Sequence, residues 1–78
     1  MITSILMGLR ALSGSDRKQD VDAAHRIVSE HPGIITEIDE RSTYVRGVRT
    51  MVLTDAELER FKPMHDAVQA AISDMFSA

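Results

Sequence analysis

The chain has 78 residues, no cysteine, 12 acids against 9 lysines and arginines, and a formal net charge of −3 at pH 7. That length holds one domain with a modest core; absent cysteine excludes disulfides and thiolate metal sites, and the acid excess argues against a nucleic-acid binder that uses its whole surface. Hydrophobic residues at 44% and charged residues at 27% belong to a folded chain rather than a disordered one. Small domains commonly add a disulfide, a metal or a second subunit. With disulfides excluded, a homodimer is the expected remedy. Aromatic residues are few (Tyr44, Phe61, Phe76) and there are 5 methionines, which implies an aliphatic, adaptable core.

Residues 1–13 read as a first helix. Ile2, Ile5, Leu6, Leu9 and Leu12 recur at spacings of three and four and form one face. Thr3 or Ser4 is the expected cap. The segment has no basic start, Thr3, Ser4 and Gly8 interrupt it, and Arg10 ends it. No run approaches the about 20 apolar residues of a membrane span. The expected location is therefore cytoplasmic, with no membrane contact.

Residues 15–31 read as a second helix, opening near Ser15 or Asp16, both good capping types. Its apolar face is thin: Val21, Ala24, and Ile27 or Val28. Asp22 and Arg26 stand four apart in the favourable order. Pro32 and Gly33 stop it.

Residues 34–53 are rich in β-branched types and read as a β-hairpin. The strands are expected at Ile34–Ile38 and Thr43–Leu53, with a polar loop at Asp39–Ser42. Gly47 then marks a bulge or a close backbone approach. Alternation along the second strand places Tyr44, Arg46, Val48, Thr50 and Val52 on one face. Thr43, Val45, Gly47, Arg49, Met51 and Leu53 fall on the other.

Residues 54–77 read as a helix with a break at Pro63. Thr54 followed by Glu57 matches the reciprocal capping box, the sharpest local signal in the chain. Leu58, Phe61, Met64 or His65, Val68, Ala71, Ile72, Met75 and Phe76 are then expected to form its apolar stripe. The expected fold is α+β: a small single domain, helix–helix–β-hairpin–helix, over residues 1–78.

Chemistry is sparse. His25, His31 and His65 lack metal-ligand spacing, and no serine elbow or phosphate-binding glycine loop occurs. Neither an enzyme nor a cofactor or metal is expected. Arg41, Arg46 and Arg49 lie in a stretch, 41–53, that holds no acid. It forms a local basic patch suited to a carboxylate-rich partner surface; the same charges also serve to protect an exposed edge strand. The expected partner-binding residues are Tyr44, Arg46, Val48, Arg49 and Arg41. The expected dimer or helix interface is Ile5, Leu6, Leu9, Val68 and Ile72.

The stretch His31-Pro32-Gly33-Ile34-Ile35-Thr36-Glu37-Ile38 resembles the opening of a helix-turn-helix in winged-helix regulators. That resemblance implies a DNA-binding regulator, with one helix starting at Thr36–Glu40 and a recognition helix over Thr43–Leu53 carrying Arg46 and Arg49. The chain departs from the pattern where the glycine between the helices is missing and the second helix would hold Gly47. In size and charge the chain is similar to small accessory proteins of phages and mobile elements. That likeness implies a non-enzymatic protein-binding module, an inhibitor or regulator that occludes a surface of a host or defence protein. A structural subunit of a larger assembly is the third expectation.

Overall fold

In the computed structural model, which describes residues 1–77, the elements run α1 (Ile2–Ser13), α2 (Lys18–Glu30), α3 (Ile34–Arg41), β1 (Thr43–Val45), β2 (Val48–Thr50) and α4 (Asp55–Ser77). The stripe read from spacing is the one α1 buries: Ile2, Ile5, Leu9 and Leu12. Its start lies ahead of Thr3. The Ile5 amide donates to the Met1 carbonyl at 3.1 Å, and no side chain caps the helix. Gly8 is buried, not an interruption of the apolar face.

Ser15 acts just outside α2. Its hydroxyl accepts the Arg17 amide at 3.1 Å and donates to the Asp20 carboxylate at 2.6 Å. Asp20 is only 2% exposed and also faces Arg17 Nε at 3.4 Å. A buried carboxylate is tolerated only with such partners. The same guanidinium reaches the Met75 carbonyl at 3.3 Å and Asp74 at 3.6 Å, tying the start of α2 to the end of α4.

The segment 34–53 departs from expectation. Ile34–Arg41 is a helix, not a strand. Gly33 opens it at φ 83, and Ile34 and Ile38, one helical turn apart, are both buried. Burying that pair against the core outweighs the weak β preference of the isoleucines. The hairpin is confined to the residues read as one continuous strand. Arg46 (φ 53) and Gly47 (φ 80) form its turn, and positive φ at both positions matches the twist of the flanking strands. Thr43 pairs with Thr50, Tyr44 with Arg49 and Val45 with Val48. The same pairing excludes a recognition helix over Thr43–Leu53.

The expected break at Pro63 is absent: α4 runs through it. Proline denies the Glu59 carbonyl its helical donor. Phe61 and Met64 on either side are fully buried, and their packing holds the helix together. The capping box forms as read, with Thr54 N–H donating to Glu57 Oε1 at 2.9 Å and Glu57 N–H to Thr54 Oγ1 at 3.2 Å.

Helices α1, α2 and α4 pack on one another. Between them lie Ile5, Leu12, Ile27, Ile38, Phe61, Met64 and Val68, all enclosed. The two strands pack chiefly on each other, and Met51 and Leu53 lead the chain back to the core. The fold is thus a helical body with a short two-stranded hairpin beside it. Among the described residues no helix is long and apolar enough to cross a membrane.

Candidate functional site

Every residue of the two strands is exposed or half-buried. Tyr44 is 66% exposed, Val45 53%, Val48 59%, and Val52 just beyond the hairpin 83%. Scattered apolar residues on a surface are ordinary. Here four of them stand on or just beyond one short hairpin.

The turn at Arg46-Gly47 reassigns the faces. Cross-strand partners share a face, so Tyr44 sits with Arg49, and Val45 sits with Val48, Thr43 and Thr50. Tyr44 and Val48, expected together, lie on opposite faces. Each strand holds only three residues, which leaves little edge for a further strand to join.

The basic patch is largely neutralised from outside the acid-free stretch. Arg49 donates to Asp39 Oδ1 at 2.7 Å, to Ser42 Oγ at 3.1 Å and to the Tyr44 hydroxyl at 3.0 Å, with its guanidinium carbon 5.3 Å from the Tyr44 ring centre. The Tyr44 hydrogen bond, then the Asp39 one, raises the Arg49 pKa further and keeps it charged. Arg41 ion-pairs with Glu57 and donates to the Val52 carbonyl at 3.1 Å. It joins the end of α3, the exit of the hairpin and the first turn of α4. Arg46 alone of the expected trio has no ion-pair partner among the described residues. The Arg41 hydrogen bond, followed by the Thr54 amide, holds the Glu57 carboxyl below its ordinary value.

The other expected group resolves differently. Ile5, Leu9 and Val68 are buried within the single chain, and Leu6 and Ile72 are half-buried against the same cluster. They lie at the seam between α1 and α4, a helix interface within the chain. Tyr44, Arg46, Val48 and Arg49 are gathered on the hairpin, while Arg41 stands at its base.

Sequence reasoning passed over Met7 and Arg10. Both are exposed on α1 and line a cleft of about 360 Å³ with Thr3, Leu6, Gly47, Val48 and Arg49. The available signal was Met7 itself, a large apolar residue outside the buried stripe of its helix. A second groove, of about 450 Å³, runs between α2 and α4 and is lined by Ala23, Ala67, Ala70 and Ala71 with Asp20, Arg26 and Glu30. Among the described residues no group of histidines and carboxylates is placed to hold a metal. Comparisons with protein-family models, curated proteins and solved structures find no match to this chain.

Proposed function

We propose that this chain is a non-enzymatic protein-binding module that makes contact through its hairpin. The carrying observation is the exposure of Tyr44, Val45, Val48 and Val52 beside a body that encloses its core without them. A rigid aromatic and branched aliphatic residues give contact area at low entropic loss. Regulation or inhibition by occluding a larger protein's surface, as small phage-type accessory proteins do, is the mode this shape supports. The test is capture of a partner by the immobilised chain and by its Y44A and V45D variants. Both substitutions are at exposed positions, so circular dichroism should be unchanged while capture falls. Undiminished capture by both removes the hairpin from the contact.

A homodimer is part of the same reading. The Val45–Val48 face is its surface, because Ile5, Leu9 and Val68 are enclosed. Sedimentation across a range of concentrations distinguishes a monomer, a closed dimer and the open-ended growth of a structural subunit.

One observation favours a second reading. Helix α2, the turn at 31–33, helix α3 and the hairpin follow one another as a helix-turn-helix with an appended wing. In that reading α3 would enter the major groove. Its solvent side, however, carries Asp39 and Glu40, which repel phosphate. A salt-sensitive gel shift on duplex DNA would establish the DNA reading over the protein one.

A further inference from the structure

A cleft lies between α1 and the hairpin. Its lining is Thr3, Leu6, Met7 and Arg10 from α1 with Gly47, Val48 and Arg49 from the hairpin, and no acid is among them. The chain as a whole carries 12 acids. Leu6, Met7 and Val48 give the cleft an apolar floor. Arg10 stands at its side with no ion-pair partner among the described residues. Arg49 is fixed in place by Asp39, Ser42 and Tyr44, and Arg46 at the turn is also unpaired. The volume, about 360 Å³, lies near the lower end of the about 300–1,000 Å³ typical of ligand clefts.

Resting on the protein-binding reading, we propose that this cleft takes a short partner segment with an apolar anchor side chain flanked by carboxylates. The anchor fills the space over Leu6, Met7 and Val48, and a flanking carboxylate meets Arg10. Charge complementarity selects the occupant: a basic segment would meet the unpaired Arg10, and a wholly apolar one would leave Arg10 unanswered. Arg10 is a free donor fork, suited to bidentate carboxylate contact.

The test is selection of binders from a random peptide library displayed on phage, against the full chain. Enriched peptides should pair a large apolar residue with neighbouring Asp or Glu. Binding of the synthesised winners should weaken about tenfold or more in R10E and in M7E, the loss expected at a central contact, and should fall as salt rises. Amide shifts in the labelled chain should centre on Met7, Arg10, Gly47 and Val48. Circular dichroism confirms that both variants fold, and R10A provides a second variant that removes the charge without reversing it. Acid-free winners, or winners indifferent to R10E, R10A and M7E, overturn the proposal. Winners that shift only Tyr44 and Val45 overturn the cleft and leave the protein-binding reading standing. An empty selection overturns the cleft, while partner capture that is lost in Y44A and V45D would still support the wider reading.

Discussion

Gly8 and Val68 meet more closely than any side chain at position 8 allows: a β-carbon there would lie 2.2 Å from Val68 Cγ1. Glycine therefore sets the distance between α1 and α4, and Ile72 is the next atom group in line. Overpacked cores lose about 1–3 kcal/mol. G8A should lower the thermal midpoint by several degrees, at about 4–8 °C per kcal/mol for a domain of this size. V68A alone should also destabilise, by leaving a cavity. In the double variant the two penalties should partly cancel. Thermal unfolding of all four proteins gives the coupling, and strictly additive losses would disprove the contact.

Glu57 serves two stretches of chain at once. It caps α4 through Thr54 and receives Arg41 from the base of the hairpin. Its carboxyl is held below the ordinary value of 4.5. A depressed folded value contributes stability that is complete above the unfolded value and is lost as pH falls through the folded one. Wild type should therefore lose stability below about pH 4.5 more steeply than E57Q, whose stability should be lower but flatter there. T54A should cost about 0.5–2 kcal/mol, the usual loss of a capping hydroxyl. Urea midpoints measured from pH 7 down to pH 3 check both, and parallel curves for wild type and E57Q would remove Glu57 from the acid response.

Arg46 occupies a backbone conformation that L-residues with long side chains rarely adopt, at φ 53 beside Gly47 at φ 80. Asparagine tolerates that region better. R46N should raise the hairpin's protection from amide exchange, and G47V should abolish it. Neither change should move the melting of the helices by much, because the strands pack chiefly on each other. A large fall in the helical signal with G47V would show that hairpin and body fold as one unit.

Arg49 is the strut of the hairpin. It binds Asp39 of α3, Ser42 and Tyr44 together. Exposed pairs contribute little to global stability, about 0–1 kcal/mol. R49A should thus leave the melting midpoint almost unchanged while broadening the Tyr44 ring resonances. D39N should do the same to a lesser extent. Unchanged Tyr44 resonances in R49A would show that the strands alone hold the ring.

Much of the helical body was legible in the sequence. The stripe Ile2, Ile5, Leu9, Leu12 and the box Thr54–Glu57 rest on local periodicity and on hydrogen bonds between near neighbours, which the chain states directly. What failed was arbitration over 34–53. Ile34, Ile35 and Ile38 fit a helix or a strand equally by composition, and only burial against distant residues such as Phe61 decides. The turn was misplaced because Arg46 is not a turn-forming type, so Gly47 stood without its usual neighbour. Once the turn moved, every face assignment around it changed. Asp20 is enclosed by Ser15 and Arg17, a burial that no local spacing announces. Pairings between residues far apart in sequence, such as Arg41 with Glu57 and Arg17 with Asp74, leave no trace in local spacing. The basic patch dissolved for that reason: its acids come from outside the segment that carries the arginines.

The outward placement of the Arg46–Gly47 peptide has a practical corollary. It sits at the tip of the hairpin, where a protease such as trypsin meets it first. A single cut there divides the interior between two pieces: 1–46 keeps Ile5, Leu12, Ile27 and Ile38, and 47–78 keeps Phe61, Met64 and Val68. Neither half has a core without the other, so the halves should travel together through native gel filtration and part only in denaturant. Made as separate fragments, they would serve as a self-assembling pair, reporting on whatever brings their two fusion partners into proximity.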